Sequence, residues 1–208
     1  GPQFLIMDYA KLLNPVIVSE KPSGIRKFFD LASTMEDCIV LGVGEPDFKT
    51  PWSIREAGIT SLEKGRTFYT SNSGLVQLRS EICKYLHRRF DLDYNIDEVM
   101  VTVGGSEGID ACMRAALCPG DEVIVPYPSY VSYGPMARLA GATVVPVNTK
   151  AENSFRLTAE ELKAAITPKT KMLVLPYPSN PTGAVMRREH LEEIAEVLRS
   201  TDIFVMSD

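Results

Sequence analysis

The stretch "DEVIVPYPSYVSYGPMARLAGATVVPVN" (residues 121–148) decides the fold that the sequence predicts. Its two ends, 121–127 and 142–148, are short and almost wholly apolar, which is typical of strands that are buried on both faces of a sheet. Between them, residues 130–141 have the apolar spacing of a helix that ends at Gly141. A strand, a helix and a second strand in this order favour a parallel sheet.

The same alternation continues on both sides of this stretch. Further strands are predicted at 98–104, 171–177 and 202–208, and further helices at 25–32, 51–64, 75–90, 106–117, 158–166 and 187–200. One helix start is marked by Thr158 with Glu161 three residues later, the spacing of a capping box. The sequence therefore predicts an α/β fold in which a mostly parallel sheet is sandwiched by helices.

The composition excludes several classes of protein. The 208 residues are 45% hydrophobic and 24% charged, which is ordinary for a globular protein. A net charge of −5 argues against nucleic acid as the main partner, because phosphate backbones bind basic surfaces. No apolar run is long enough to span a membrane, and the four cysteines have no metal-binding spacing. We therefore expect a cytoplasmic protein with reduced thiols, without a membrane partner and without a metal.

Parallel sheets bind ligands at the carboxyl ends of their strands, and the first predicted strand is followed there by "GGSEG" (104–108). Glycines let a ligand approach the backbone, and a helix start offers unpaired N–H groups to an anion. The segment thus predicts a phosphate cradle with the Ser106 hydroxyl as an added donor. The alternative is a tight turn in which Ser106 is only the N-cap of the helix.

Two similar segments follow two other strands, "PYPSY" (126–130) and "PYPSN" (176–180). Tyr127 and Tyr130 offer aromatic faces, and Asn180 offers an amide that both donates and accepts hydrogen bonds. The alternative is that these are proline-rich turns with locally packed tyrosines.

The last strand ends at Asp208, whose carboxylate needs a cationic partner if it is buried. A protonated ring nitrogen of a cofactor would be such a partner. A phosphate cradle, an aromatic face, an amide and this carboxylate together match pyridoxal 5′-phosphate.

The sequence resembles the class I/II aminotransferases of the fold-type I pyridoxal-phosphate family. The matching segments follow the family order over nearly all the chain after Pro22: "LGVGEPDFKTP" (41–51), "YTSNSGLVQLR" (69–79), "VTVGGSEGI" (101–109), "PYPSYVSY" (126–133), "YPSNPTG" (177–183) and "VMSD" (205–208). The resemblance implies transfer of an amino group from an amino acid to a 2-oxo acid, with pyridoxal phosphate as the cofactor.

The resemblance also assigns roles to single residues. Gly105, Ser106 and Glu107 would form the phosphate loop, mainly through backbone N–H groups. Tyr130 would stack on the pyridine ring, Asn180 would bond its phenolic oxygen, and Asp208 would bond its nitrogen. Gly44 would lie against the substrate carboxylate, and Tyr69 would reach the phosphate of the neighbouring subunit in a homodimer.

The sequence departs from the family pattern at its end. In the family, the lysine that forms the Schiff base with the cofactor follows the matching aspartate, whereas all ten lysines of this chain precede Asp208. We therefore expect a fragment that is inactive alone. Residues 1–50 would be the N-terminal arm and the start of the small domain, with 1–6 a vector remnant, and 51–208 an incomplete cofactor-binding large domain.

Two other functions remain open at this point. A pyridoxal-phosphate-dependent C–S lyase or related synthase of the same fold would use the same cofactor residues, because side chains around the substrate Cα decide which bond breaks. A non-catalytic fragment or cofactor-binding regulator domain is the second alternative. The segments "GEPDF" (44–48) and "NPTG" (180–183) favour the aminotransferase.

Overall fold

The computed structural model describes residues 8–22, 24–42 and 44–208. The expectation that residues 1–6 are a vector remnant falls outside these described residues. In chain order the helices are α1 (Pro15–Ser19), α2 (Ile25–Ser33), α3 (Trp52–Glu63), α4 (Val76–Phe90), α5 (Gly104–Ala116), α6 (Tyr133–Leu139), α7 (Ala159–Ala165) and α8 (Arg188–Leu198), and the strands are β1 (Glu122–Tyr127), β2 (Thr143–Asn148), β3 (Thr170–Leu175) and β4 (Phe204–Ser207).

These elements form two compact units. The first unit joins the described residues up to Pro22 to Val103–Asp208, and it contains α1, α5 to α8 and all four strands. The second unit holds the described residues from 24 to 102 and contains α2, α3 and α4. The domain boundary that the sequence suggested after residue 50 stays a prediction.

The sheet of the first unit confirms the predicted parallel topology. Its strand order is β2-β1-β3-β4, and each of the three neighbouring pairs is parallel. The predicted helix between β1 and β2 is present as α6, so these strands are joined by a helical crossover. All four strands therefore point their carboxyl ends toward the same edge of the sheet.

Alternating side chains of the strands fill two separate cores. Val123 and Val125 pack with α5 and α6 on one face of the sheet, whereas Ile124 between them packs with α7 and α8 on the other. On β3, Val174 belongs to the first core and Leu173 to the second. Because successive strand residues point to opposite faces, an unbroken apolar run covers both sides, as the sequence pattern predicted.

Short-range signals explain the helix ends. Thr158 caps α7 by accepting a hydrogen bond from the Glu161 N–H at 3.2 Å, while the Glu161 carboxylate accepts the Thr158 N–H at 3.0 Å. The capping box predicted from the sequence is thus confirmed. In the second unit, Asp91 ends α4 in a left-handed conformation (φ 56°).

The predicted strand at 98–104 is wrong. This segment contains the end of a 3-10 turn (Ile96–Glu98), extended backbone and the start of α5, but no strand. Its Val101 N–H donates to the Ser73 carbonyl at 2.9 Å, a contact with a turn rather than with a strand. An apolar sequence becomes a strand only where a partner strand accepts its hydrogen bonds, and the local pattern does not report that partner.

Among the described residues, no helix combines the length and the apolar character that a membrane crossing requires.

We predict that Leu173→Ala lowers the free energy of unfolding by about 2–5 kcal/mol, because the leucine is 0% exposed between α7, α8 and the sheet. The matched control is Val205→Ala on β4, which pairs directly with Leu173 but is 39% exposed. Urea unfolding followed by circular dichroism measures both changes. A larger loss for the control than for Leu173→Ala would contradict the assigned core.

Candidate functional site

The first turn of α5 lies beside the carboxyl ends of the strands. The helix begins at Gly104, whose φ of +78° favours glycine, and the capping position is Val103, which has no capping side chain. Gly105 and Ser106 lie in the first turn, where backbone N–H groups have no acceptor within the helix. Ser106 is therefore not the N-cap, and that alternative interpretation is wrong.

The Ser106 hydroxyl instead bonds across to Tyr130, with 2.9 Å between the two side-chain oxygens. Hydrogen bonding to Ser106 lowers the pKa of Tyr130 below the usual value of a phenol. This bond ties the start of α5 to the loop that follows β1. One hydroxyl of the pair donates and the other accepts, so the accepting group keeps its own proton available for a further contact.

Glu107 occupies a different place from its two neighbours in sequence. Its carboxylate turns back and accepts the backbone N–H of Val103, which satisfies one donor at the helix start. The side chain does not line the cleft described below. Any part that Glu107 takes in anion binding is therefore limited to its backbone.

Tyr130 and Tyr133 form a pair at the end of β1. The predicted helix over 130–141 begins only at Tyr133, so Tyr130 stands in the preceding loop. The two rings meet edge to face, with centroids 5.6 Å apart and planes at 85°. Tyr133 is 2% exposed and belongs to the core shared by α5, α6 and the sheet.

The Tyr133 hydroxyl donates to Oδ2 of Asp208 at 2.5 Å. Burial of the phenol, together with the neighbouring carboxylate, raises the pKa of Tyr133 far above the usual value. The phenol therefore keeps its proton and acts as the donor. Asp208 itself is exposed, and its backbone N–H bonds the Leu175 carbonyl on β3 at 3.3 Å.

Asn180 stands in a loop that closes on itself after β3. The Ser179 N–H donates to the Ala184 carbonyl at 2.9 Å, and the Gly183 N–H donates back to the Ser179 carbonyl at 2.8 Å. Gly183 has a φ of +70°, a conformation that glycine adopts without strain. These bonds hold Asn180 at the tip of the loop beside the sheet edge.

The strand ends enclose one cleft of about 330 Å³. Its lining residues are Gly105, Ser106, Ile109, Tyr130, Tyr133, Pro178, Asn180 and Asp208. Five of the residues singled out from the sequence therefore lie together, with Tyr133 added.

The sheet topology explains this convergence. Tyr130 follows β1, Asn180 follows β3 and Asp208 follows β4, and these three strands are neighbours in the sheet. Parallel neighbours end at the same edge, so the three side chains meet although about 80 residues of sequence separate the first from the last.

Two predicted residues belong to the second unit and are described there by themselves. Tyr69 is fully exposed and lines a separate cleft of about 610 Å³ that also contains Lys64 and Arg66. Gly44 is exposed, and a Cβ placed on it would meet open space. Their proposed roles toward a substrate and a neighbouring subunit stay predictions.

Sequence reasoning missed Tyr133 and overvalued Tyr127. Tyr127 is partly buried against the core of the first unit and does not line the cleft. The signal for Tyr133 was its place in the quoted segment "PYPSYVSY" (126–133), only three residues after Tyr130. Its contact with Asp208 spans 75 residues and cannot be seen in a local pattern.

A larger cleft of about 610 Å³ lies elsewhere in the first unit, near the start of α8. Two of its polar side chains already have partners: the Arg156 Nε donates to the Asn153 carbonyl at 3.0 Å, and His190 Nδ1 accepts the backbone N–H of Arg187 at 3.1 Å. It lacks the combination of an aromatic face, an amide and a carboxylate. The smaller cleft is therefore the candidate site.

The chain matches known proteins over most of its length. Residues 36–208 match the family of aminotransferases of class I and II. A Bacillus subtilis protein, YugH, named provisionally as an aminotransferase, is 52% identical over 94% of this chain and 51% of its own length. The aspartate aminotransferase of Pyrococcus abyssi is 44% identical over 90% of this chain and 48% of its own length.

A solved structure gives the same result. The aspartate aminotransferase of Rhizobium meliloti superposes with a TM-score of 0.89 and 36% identity, over 94% of this chain and 50% of that protein. The chain thus spans about half the length of the relatives that it matches. Its sequence and its fold place it in one family: this chain belongs to the class I and II aminotransferases.

Proposed function

We propose that this chain supplies the cofactor-binding part of a pyridoxal-phosphate-dependent aminotransferase, which moves an amino group from an amino acid to a 2-oxo acid. One observation carries the proposal. A single cleft of about 330 Å³ holds anion donors at a helix start, an aromatic ring, an amide and a carboxylate. Each group suits a different part of the same small cofactor.

The donor set fits the chemistry of pyridoxal phosphate. Backbone N–H groups of the first turn of α5, with the Ser106 hydroxyl, suit the phosphate. The Tyr130 ring suits the flat face of a pyridine, and the Asn180 amide suits its phenolic oxygen. The Asp208 carboxylate suits a protonated ring nitrogen, since an anion stabilises the cationic form.

The chain's own residues bind and orient in this proposal. When bound, pyridoxal phosphate supplies the electron sink that makes the Cα proton of an amino acid acidic. Asp208 holds a proton at the ring nitrogen, which sustains that sink. Ser106 and the helix start anchor the phosphate, and Tyr130 covers the ring and excludes water from that side. No lysine lines the described cleft, so the chain offers no amine there for proton transfer.

We further propose a homodimer in the cytoplasm, in which Tyr69 reaches the phosphate bound by the partner subunit and Gly44 contacts the substrate carboxylate. Tyr69 shares its cleft with two cations, Lys64 and Arg66, which suits a phosphate. The second unit also exposes large apolar side chains, among them Phe48, Trp52, Leu62 and Phe68. Apolar surface of this kind favours burial against another surface.

We predict that Asp208→Ala weakens the binding of pyridoxal phosphate by at least about tenfold, because the charge-assisted hydrogen bond to the ring nitrogen is lost. The measurement is a titration of the cofactor-free, full-length natural protein, followed by absorbance. Asp202→Ala is the matched control, since Asp202 is an exposed carboxylate just before the same strand.

Affinity that is unchanged in Asp208→Ala, or reduced equally in both variants, would contradict the assignment of Asp208 to the cofactor.

We predict that the 208-residue polypeptide alone has no aminotransferase activity, because no lysine lines its cleft. The full-length natural protein should transfer the amino group of at least one donor, with aspartate tested first since a relative is named for it. The assay follows the new amino acid formed from 2-oxoglutarate. Turnover by the 208-residue polypeptide at stoichiometric purity would contradict the prediction.

The same assay separates the lyase alternative. Release of pyruvate from cysteine-type substrates without any 2-oxo acid acceptor would favour a C–S lyase over an aminotransferase.

A further inference from the structure

We propose that Tyr133 is a positioning residue that fixes the Asp208 carboxylate for the ring nitrogen of the cofactor. The inference rests on the proposed function and deepens it, because it names the residue on which the orientation of Asp208 depends. The relevant contact joins the first residue of α6 to the residue that follows β4.

The hydrogen bond between these residues has a defined direction. The distance of 2.5 Å from the Tyr133 hydroxyl to Oδ2 of Asp208 is typical of a hydroxyl that donates to an ionised carboxylate. The phenol is 2% exposed, so water does not compete at the donor. Burial and the adjacent carboxylate raise the pKa of Tyr133, which keeps the proton on the phenol.

The bond leaves the other carboxylate oxygen of Asp208 without a hydrogen bond from any residue that the structure describes. Tyr133 occupies Oδ2, and the backbone N–H of Asp208 is held by the Leu175 carbonyl on β3. The main chain and one carboxylate oxygen are thus both anchored. Oδ1 is then the oxygen that remains for a ligand in the cleft that Asp208 lines.

The same tyrosine also links Asp208 to the anion-binding end of the cleft. Tyr133 packs edge to face on Tyr130, and Tyr130 bonds the Ser106 hydroxyl in the first turn of α5. A continuous series of contacts therefore runs from Ser106 to Asp208. We infer that it fixes the separation between the groups for the phosphate and the group for the ring nitrogen.

A purely structural role for Tyr133 makes a different prediction. A buried phenol needs an acceptor for its hydroxyl. In a purely structural role, Asp208 would only accept this hydrogen bond, and Tyr133 would not orient the carboxylate for the cofactor. In that case the loss of the hydroxyl would change stability, and any change in cofactor affinity would not depend on Asp208. A double-mutant cycle separates the two roles.

The experiment uses the full-length natural protein freed of its cofactor, in four forms: wild type, Tyr133→Phe, Asp208→Ala and the double variant. The dissociation constant for pyridoxal phosphate is measured by titration. With Asp208 present, Tyr133→Phe should weaken binding by about tenfold, which corresponds to one hydrogen bond to a charged group. In the Asp208→Ala background the same change should have less than about a twofold effect, since no carboxylate is left to orient.

Three controls exclude a general loss of structure. Tyr177→Phe removes another partly buried hydroxyl, which accepts the Leu157 N–H at 2.8 Å and bonds no residue that lines the candidate site, and it should leave the affinity unchanged. A cofactor analogue in which CH replaces the ring nitrogen should bind wild type and Tyr133→Phe equally. Thermal unfolding of each variant shows that it is folded.

The outcomes distinguish this inference from the proposed function. If wild type does not bind pyridoxal phosphate, or if Asp208→Ala binds it as tightly as wild type, the proposed function fails. If Asp208→Ala weakens binding but Tyr133→Phe does not, or does so equally in both backgrounds, only the positioning role of Tyr133 is overturned.

Discussion

The parallel pairing of β1, β3 and β4 is the constraint on which the rest of the candidate site depends. Each pair of neighbours, such as Leu175 and Ser207, sets where the following residue emerges from the sheet. Tyr130, Asn180 and Asp208 come from distant parts of the sequence, yet the strand register places all three at one edge of the sheet. A slip of one residue on β4 would turn its side chains to the opposite faces and displace Asp208 from Tyr133.

The two tyrosines after β1 connect the hydrophobic core to the candidate site. Tyr133 fills the core between α5, α6 and the sheet, and its hydroxyl also reaches the exposed carboxylate of Asp208. Tyr130 stands nearer the cleft and bonds Ser106. Asp208 and Tyr130 therefore each contact a residue of the hydrophobic core, which favours a fixed geometry of these two groups.

The sequence predicted most of the fold because its signals are local. Unbroken apolar runs marked β1 and β3, and the capping box at Thr158 marked α7, since both patterns depend only on near neighbours. The prediction of a strand at 98–104 was wrong because a strand also needs a partner strand, which the local sequence pattern does not report. Tyr133 was missed because its role depends on a contact across 75 residues, whereas Asp208 was found from its place at the end of an apolar run and then matched the family pattern.

We propose above that the carboxylate of Asp208 keeps the ring nitrogen of bound pyridoxal phosphate protonated. The most direct test is the ¹⁵N chemical shift of ¹⁵N-labelled pyridoxal phosphate bound to the full-length natural protein. We expect the shift of a protonated pyridinium in the wild type, and a change toward neutral pyridine in Asp208→Ala. A neutral pyridine shift in the wild type would contradict it.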